Sequence, residues 1–163
     1  MPRRDLNPEE RALFERPNHA LMGTIRSDGS PQVTPVWVML EGDRVVVNSR
    51  KGRAKVRNVE RDPRATVTVL DSADWNRWAS VEGRVVEVTE KGAKEHADVV
   101  SQHYDGTPFR ELEPGEIRVR ILIEPDRALC ARYDVRIDDV NQMIDVALGG
   151  QPIGTVYEGD RRF

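Results

Sequence analysis

The sequence has a single cysteine, Cys130, among its 163 residues. No intramolecular disulfide can form, and no zinc cluster can be built on cysteine. Aromatic residues make up only 6% of the chain, a thin supply for a surface on which nucleic-acid bases would stack. There is no excess of positive charge. Against 25 lysines and arginines stand 28 aspartates and glutamates, a net charge of −3, so any basic patch able to hold an anion must be local. No apolar run approaches the roughly 18 residues of a membrane-spanning helix. The polar opening Met1-Pro2-Arg3-Arg4-Asp5 does not read as a signal peptide. A cytoplasmic protein that binds neither membrane nor nucleic acid is expected.

Several catalytic signatures are also missing. No Gly-x-Gly-x-x-Gly follows a strand, and neither a Gly-x-Ser-x-Gly elbow nor a Walker loop occurs. His19, His96 and His103 fall on different stretches without a ligand-like spacing, and no metal site is expected. No residue stands out as a nucleophile or general base, so no catalytic side chain is assigned. Such a chain fits an enzyme whose chemistry belongs to a cofactor, with the protein supplying position and electrostatics.

What is present is mostly strand. Asn7-Pro8-Glu9-Glu10 opens a short helix, with Asn7 as cap, Pro8 at the first position and Glu10 as the capping-box acid. It ends before Pro17. From Asn18 the apolar period becomes two: residues 20–25 read as a strand, 27–30 as a turn, 32–40 as one return strand, and 44–49 as a third strand after the Glu41-Gly42-Asp43 turn. These three make a meander. A helix is expected over 53–61, strands over 65–70 and 78–89, a second amphipathic helix over 91–104, and closing strands over 117–123 and 128–133. Gly83 suggests a bulge or bend within 78–89. The fold class is therefore mainly β with inserted helices, an antiparallel barrel. The domain is expected over 1–133, with an extension of unassigned structure over 134–163.

The most informative stretch is Asn48-Ser49-Arg50-Lys51-Gly52-Arg53-Ala54-Lys55-Val56-Arg57-Asn58. Five cationic side chains lie in eight residues where a strand gives way to a helix. A helix start adds unpaired amides and partial positive charge. Gly52 would let backbone approach closely, and Ser49 adds a hydroxyl. Together they are the parts of a phosphate site; the same run also fits a solvated basic helix face. Pro35 removes a ladder hydrogen bond. It marks an edge or bulge, or it frees neighbouring amides to bond a flat ring.

The ordered set Leu21-x-Gly23-Thr24-Ile25, Asp28-Gly29-x-Pro31-Gln32-Val33, Pro35-Val36-Trp37-Val38, Lys55-x-Arg57-Asn58-Val59, Arg61-Asp62-Pro63-Arg64-Ala65 and Glu82-Gly83 resembles the pyridoxamine-phosphate-oxidase-like superfamily. It is most similar to the deazaflavin-dependent branch, over residues 18–130. The resemblance implies a split β-barrel of the FMN-binding-protein kind, paired as a homodimer with a cofactor at each subunit interface. It implies that Arg53 and Lys55 grip the cofactor phosphate, with Ser49, Arg50, Ala54 and Arg57 beside them. Backbone from Pro35 through Val36, Trp37 and Val38 would run along the ring system, and Trp78 and Ala79 would come from the partner subunit. The implied activity is hydride transfer from reduced deazaflavin coenzyme F-420 to a small electron-poor substrate. The alternatives are an FMN-dependent oxidase or reductase and a non-catalytic flavin- or heme-binding barrel.

Overall fold

The computed structural model describes residues 5–126 and the backbone of 157–158 and 161–162. Contacts divide the chain into two compact units, Met1–Tyr133 and Asp134–Phe163. In the second, β8 (Tyr157–Glu158) pairs antiparallel with β9 (Arg161–Arg162). The strand expected over 128–133 lies outside the described residues.

The described residues of the first unit form a seven-stranded antiparallel sheet with three helices, the split β-barrel expected of the sequence. Its strands are β1 (His19–Ile25), β2 (Pro31–Val36), β3 (Val38–Glu41), β4 (Arg44–Arg50), β5 (Arg64–Leu70), β6 (Trp78–Thr89) and β7 (Arg118–Pro125). Their order in the sheet is β2-β1-β5-β6-β7-β4-β3. The expected single strand over 32–40 is in fact two. β2 pairs with β1, and β3 pairs with β4. Only Trp37 separates them in sequence, yet they occupy opposite ends of the sheet order. The sheet must therefore curl until its two edges nearly meet, and the simple meander gives way to a closing corner. Apolar residues run without a break from Pro35 to Leu40, so periodicity carried no sign of the switch.

The interior is filled by the inward residues of each strand, among them Met22, Val38, Val67, Val81, Ile121 and Ile123, all fully buried. On β4, Val45, Val46 and Val47 are all buried. Both faces of that strand are covered, one by the barrel core and the other by α3 (Ala93–Asp105). α1 (Pro8–Glu15) starts on the reciprocal capping box of Asn7 and Glu10, with both bonds at 2.8 Å, and lays Leu13 and Phe14 into the core.

Several of the motif residues have local structural work. Asn58 on α2 (Ala54–Arg61) is buried and donates to Thr24 Oγ1 at 3.0 Å and Gln32 Oε1 at 2.8 Å, tying α2 to β1 and β2. Asp62 pairs with Arg64 at 2.6 Å where α2 turns into β5. Gly83 sits at no bulge; the register shift in β6 lies between Val85 and Glu87. A Cβ on Gly83 would lie 3.1 Å from Ile123 Cγ2 and collide with the Glu124 carbonyl, so glycine is required by the close approach of β7.

Candidate functional site

β4 ends at Arg50, a tight turn passes through Lys51 and Gly52, and α2 begins at Ala54. Gly52 takes φ +80°, and a Cβ there would meet nothing within 4 Å. The glycine serves the left-handed turn rather than a close approach of backbone. Two bonds fix the turn: the Lys51 amide donates to the Ile117 carbonyl at 2.8 Å, and the Arg53 amide to that of Arg50 at 3.3 Å.

A cavity of about 550 Å³ opens at this junction. Its lining includes the polar and basic Ser49, Arg50, Arg53, Lys55 and Arg118, together with Pro35, Val36 and Trp37 and, from α3, Val100 and Tyr104. β2 is an edge strand, which is where a proline is accommodated in a sheet. The Trp37 ring stacks on that of Tyr104.

Lys55 is the central cation. It is 8% exposed, yet its ammonium has no hydrogen bond or ion pair among the described residues. Burial, and then the nearby Arg53 and Arg118 guanidinium groups, hold its pKa below the ordinary lysine value. The Arg53 side chain caps nothing at the helix start and also makes no ion pair among the described residues. Arg50 is partly neutralised by Glu113 at 3.3 Å. Like charges thus converge on one half-open cavity, and two of them, Lys55 and Arg53, have no anion to balance them among the described residues, an arrangement that favours a bound phosphate or carboxylate.

The other sequence-predicted residues lie elsewhere. Ala54 and Arg57 are not part of the cavity wall, and the Arg57 guanidinium turns back to the Gly52 carbonyl. Val38 is buried in the core, with its backbone N–H and C=O both bonded by the Tyr104 hydroxyl. Trp78 stands on the outer face of β6, and Ala79 beside it is in the core.

Sequence reasoning missed Arg118 and Tyr104, and gave Asn48, at the head of the basic run, no role of its own. Arg118 faces Arg50 only through the pairing of β4 with β7, a relationship that no local pattern reveals. The alternation Arg118-Val119-Arg120-Ile121 was the available sign of a charged face.

A second concavity, of about 620 Å³, runs along the outer face of β2, β1, β5 and β6, past Leu21, Pro31, Val33, Thr66, Thr68 and Leu70. Leu21 and Val33 are 38% and 61% exposed there. Among the described residues no cluster of three or more histidine, cysteine or acidic side chains could hold a metal, and no helix is long and apolar enough to cross a membrane.

Residues 6–128 match the family model described as pyridoxamine 5'-phosphate oxidase. Among solved structures, an F420 reductase is 28% identical with a TM-score of 0.64, covering 71% of this chain and 91% of that one. A conserved hypothetical protein from Mycobacterium tuberculosis is 24% identical, with a TM-score of 0.56 over 72% of this chain and 78% of that one. A putative pyridoxamine 5'-phosphate oxidase from Lactobacillus delbrueckii is 20% identical, with a TM-score of 0.51 over 74% and 92%. The last two speak for the fold alone. A curated protein, the nickel and cobalt resistance protein CnrA of Cupriavidus metallidurans, is 45% identical over 38 residues, which are 23% of this chain and 4% of that protein.

Proposed function

This chain belongs to the pyridoxamine 5'-phosphate oxidase family, which includes flavin-binding oxidoreductases, and from that premise we propose that it is a cytoplasmic oxidoreductase dependent on deazaflavin coenzyme F-420. The observation that carries the reading is the pair of unbalanced cations, Lys55 and Arg53, at the strand-to-helix junction of the cavity. They would hold the cofactor phosphate, with Ser49 and the amides of the α2 start adding donors. The wall of Pro35, Val36 and Trp37 would carry the ring system. When bound, the reduced deazaflavin supplies a hydride to an electron-poor small molecule. The residues of the chain bind and orient; none is assigned a proton transfer.

FMN is the second reading, because the same cations fit its phosphate equally well. The likeness to the F420 reductase favours deazaflavin. Titration by tryptophan quenching with each cofactor decides between them, followed by turnover of quinone- and enone-type acceptors. Tighter F-420 binding with F-420-dependent turnover supports the first reading. Equal or tighter FMN binding without such turnover selects the second.

The outer apolar face is proposed to be covered by a second copy of the chain. Leu21 lines both concavities, so a partner seated on Val33, Thr68 and Leu70 would border the cofactor cavity and could bring Trp78 and Ala79 to it. Light scattering should give twice the mass of one chain, and Leu21→Glu with Val33→Glu should give monomers. A monomeric wild type at micromolar concentration would contradict this.

A further inference from the structure

We propose that Arg118 is a ligand-binding residue of the Lys55 cavity, and that Glu116 is the positioning residue that aims it. The inference rests on the reading of the cavity as a phosphate site.

Arg118 is restrained on three sides. Its Nε donates to Asn48 Oδ1 at 2.8 Å, its Nη1 donates to Glu116 Oε1 at 3.3 Å, and its guanidinium lies over the Phe109 ring, 4.7 Å from the centroid. Asn48 is fixed in turn by α3, since its Nδ2 donates to the Ala93 carbonyl at 2.7 Å and lies 3.2 Å from His96 Nδ1. Nη2 of Arg118 makes no hydrogen bond among the described residues. The side chain is 11% exposed and lines the cavity. Its rotamer freedom is already lost before any ligand arrives, so an anion meets a guanidinium edge held in place.

The charge balance points the same way. The Glu116 side chain is fully buried and is shared: it accepts from Arg118, from Arg110 at 2.8 Å and from its neighbour, the Glu113 amide, at 3.2 Å. One carboxylate between two guanidinium groups leaves a positive charge over. Stability alone gives little reason to bury such an assembly, because desolvation commonly offsets the attraction. As a device that turns Arg118 toward the unbalanced Lys55 and Arg53, it has one. The group bound would be an oxyanion of the cofactor, a phosphate or carboxylate oxygen.

The test measures F-420 and FMN affinity for wild type, Arg118→Ala, Arg118→Lys, Glu116→Gln and the Glu116→Gln/Arg118→Ala double variant, with a thermal melt of each. Arg118→Ala should lose about tenfold or more in affinity for whichever cofactor the wild type binds. Arg118→Lys, which keeps the charge but not the fork, should recover only part. Glu116→Gln should weaken binding when Arg118 is present and add nothing when it is absent, a coupling that a general loss of stability would not produce. If Arg118→Ala binds as wild type does, Arg118 is not a ligand-binding residue. If Glu116→Gln weakens binding equally in both backgrounds, it does not act through Arg118. Should Glu116→Gln fail to fold, the two Arg118 variants still decide the first claim, and Asn48→Ala, removing the other side-chain hydrogen bond that holds Arg118, replaces it in the coupling test. A wild type that binds neither cofactor overturns the phosphate reading itself, an outcome distinct from bound wild type with unaffected variants.

Discussion

The ring of Tyr104 stacks on that of Trp37 with centroids 5.3 Å apart and planes 18° from parallel, and its hydroxyl accepts from the Val38 amide at 3.2 Å while donating to the Val38 carbonyl at 3.3 Å. The last turn of α3 thereby props the point where the chain leaves β2 for β3. Burial raises the Tyr104 pKa, which keeps the phenol protonated as the donor this geometry needs. Tyr104→Phe should keep the stack but leave both Val38 groups short of a partner, at a cost of about 1–3 kcal/mol. Tyr104→Ala should cost more, because it also removes the ring contact, and should weaken cofactor binding because Trp37 loses its support. Urea unfolding of the two variants checks this; a Tyr104→Phe curve that overlays wild type would contradict it.

Lys55 should trade stability for binding. A largely buried lysine whose ammonium has no counter-ion among the described residues, beside Arg53 and Arg118, weakens the ligand-free fold. Lys55→Met keeps the length of the side chain and removes the charge, so it should hold or raise the melting temperature, by up to about 2 kcal/mol of stability. The same variant should bind cofactor poorly. Differential scanning calorimetry without ligand checks the first part. A clearly lowered melting temperature would mean that the ammonium has a structural role.

Acid should act on Glu116. Burial alone would raise its pKa, but hydrogen bonds from Arg110, the Glu113 amide and Arg118 outweigh this and bring it from the usual 4.5 down to about 2. A carboxylate with a lowered folded pKa contributes stability in full above its unfolded pKa and loses it as pH falls through the folded value. Wild-type stability should therefore decline from pH 4.5 toward pH 2. Glu116→Gln should be less stable at pH 7 and decline less steeply over that window. Parallel slopes in chemical denaturation would show that Glu116 does not titrate in this way.

Much of the barrel was legible because strands of period two and helix caps are local signals. Asn7 with Glu10 marked α1, and the β-branched run over β5 and the alternation of β1 marked their strands. The basic run was legible too, and the fold sets Arg50, Arg53, Lys55 and Ser49 along one cavity while turning Arg57 away. What escaped the sequence depends on partners distant along the chain. The corner at Trp37 exists because β2 and β3 take different neighbours. Arg118 joins the cavity only through β7 pairing with β4, and Glu116 gains its meaning only once Arg110 and Arg118 converge on it. Gly83 was readable as special, but the reason, the crowding of Glu124, belongs to the sheet register.

The central claim is that the cavity binds a phosphorylated cofactor through Arg53 and Lys55, and one titration tests it most directly. Coenzyme F-420 is added to wild type, Arg53→Ala, Lys55→Ala and the double variant, with Arg11→Ala as a control. Arg11 is bound to Glu15 and the Gly42 carbonyl, with Asp43 3.5 Å away, and lies outside the cavity wall. Each single cavity variant should lose a charge-assisted hydrogen bond of about 1.5–3 kcal/mol, or about ten- to a hundredfold in affinity. The double variant should fall short of the sum because both cations grip one group, and Arg11→Ala should bind as wild type does. Unchanged affinity in the Arg53 and Lys55 variants would make the basic run a solvated helix face and contradict the site.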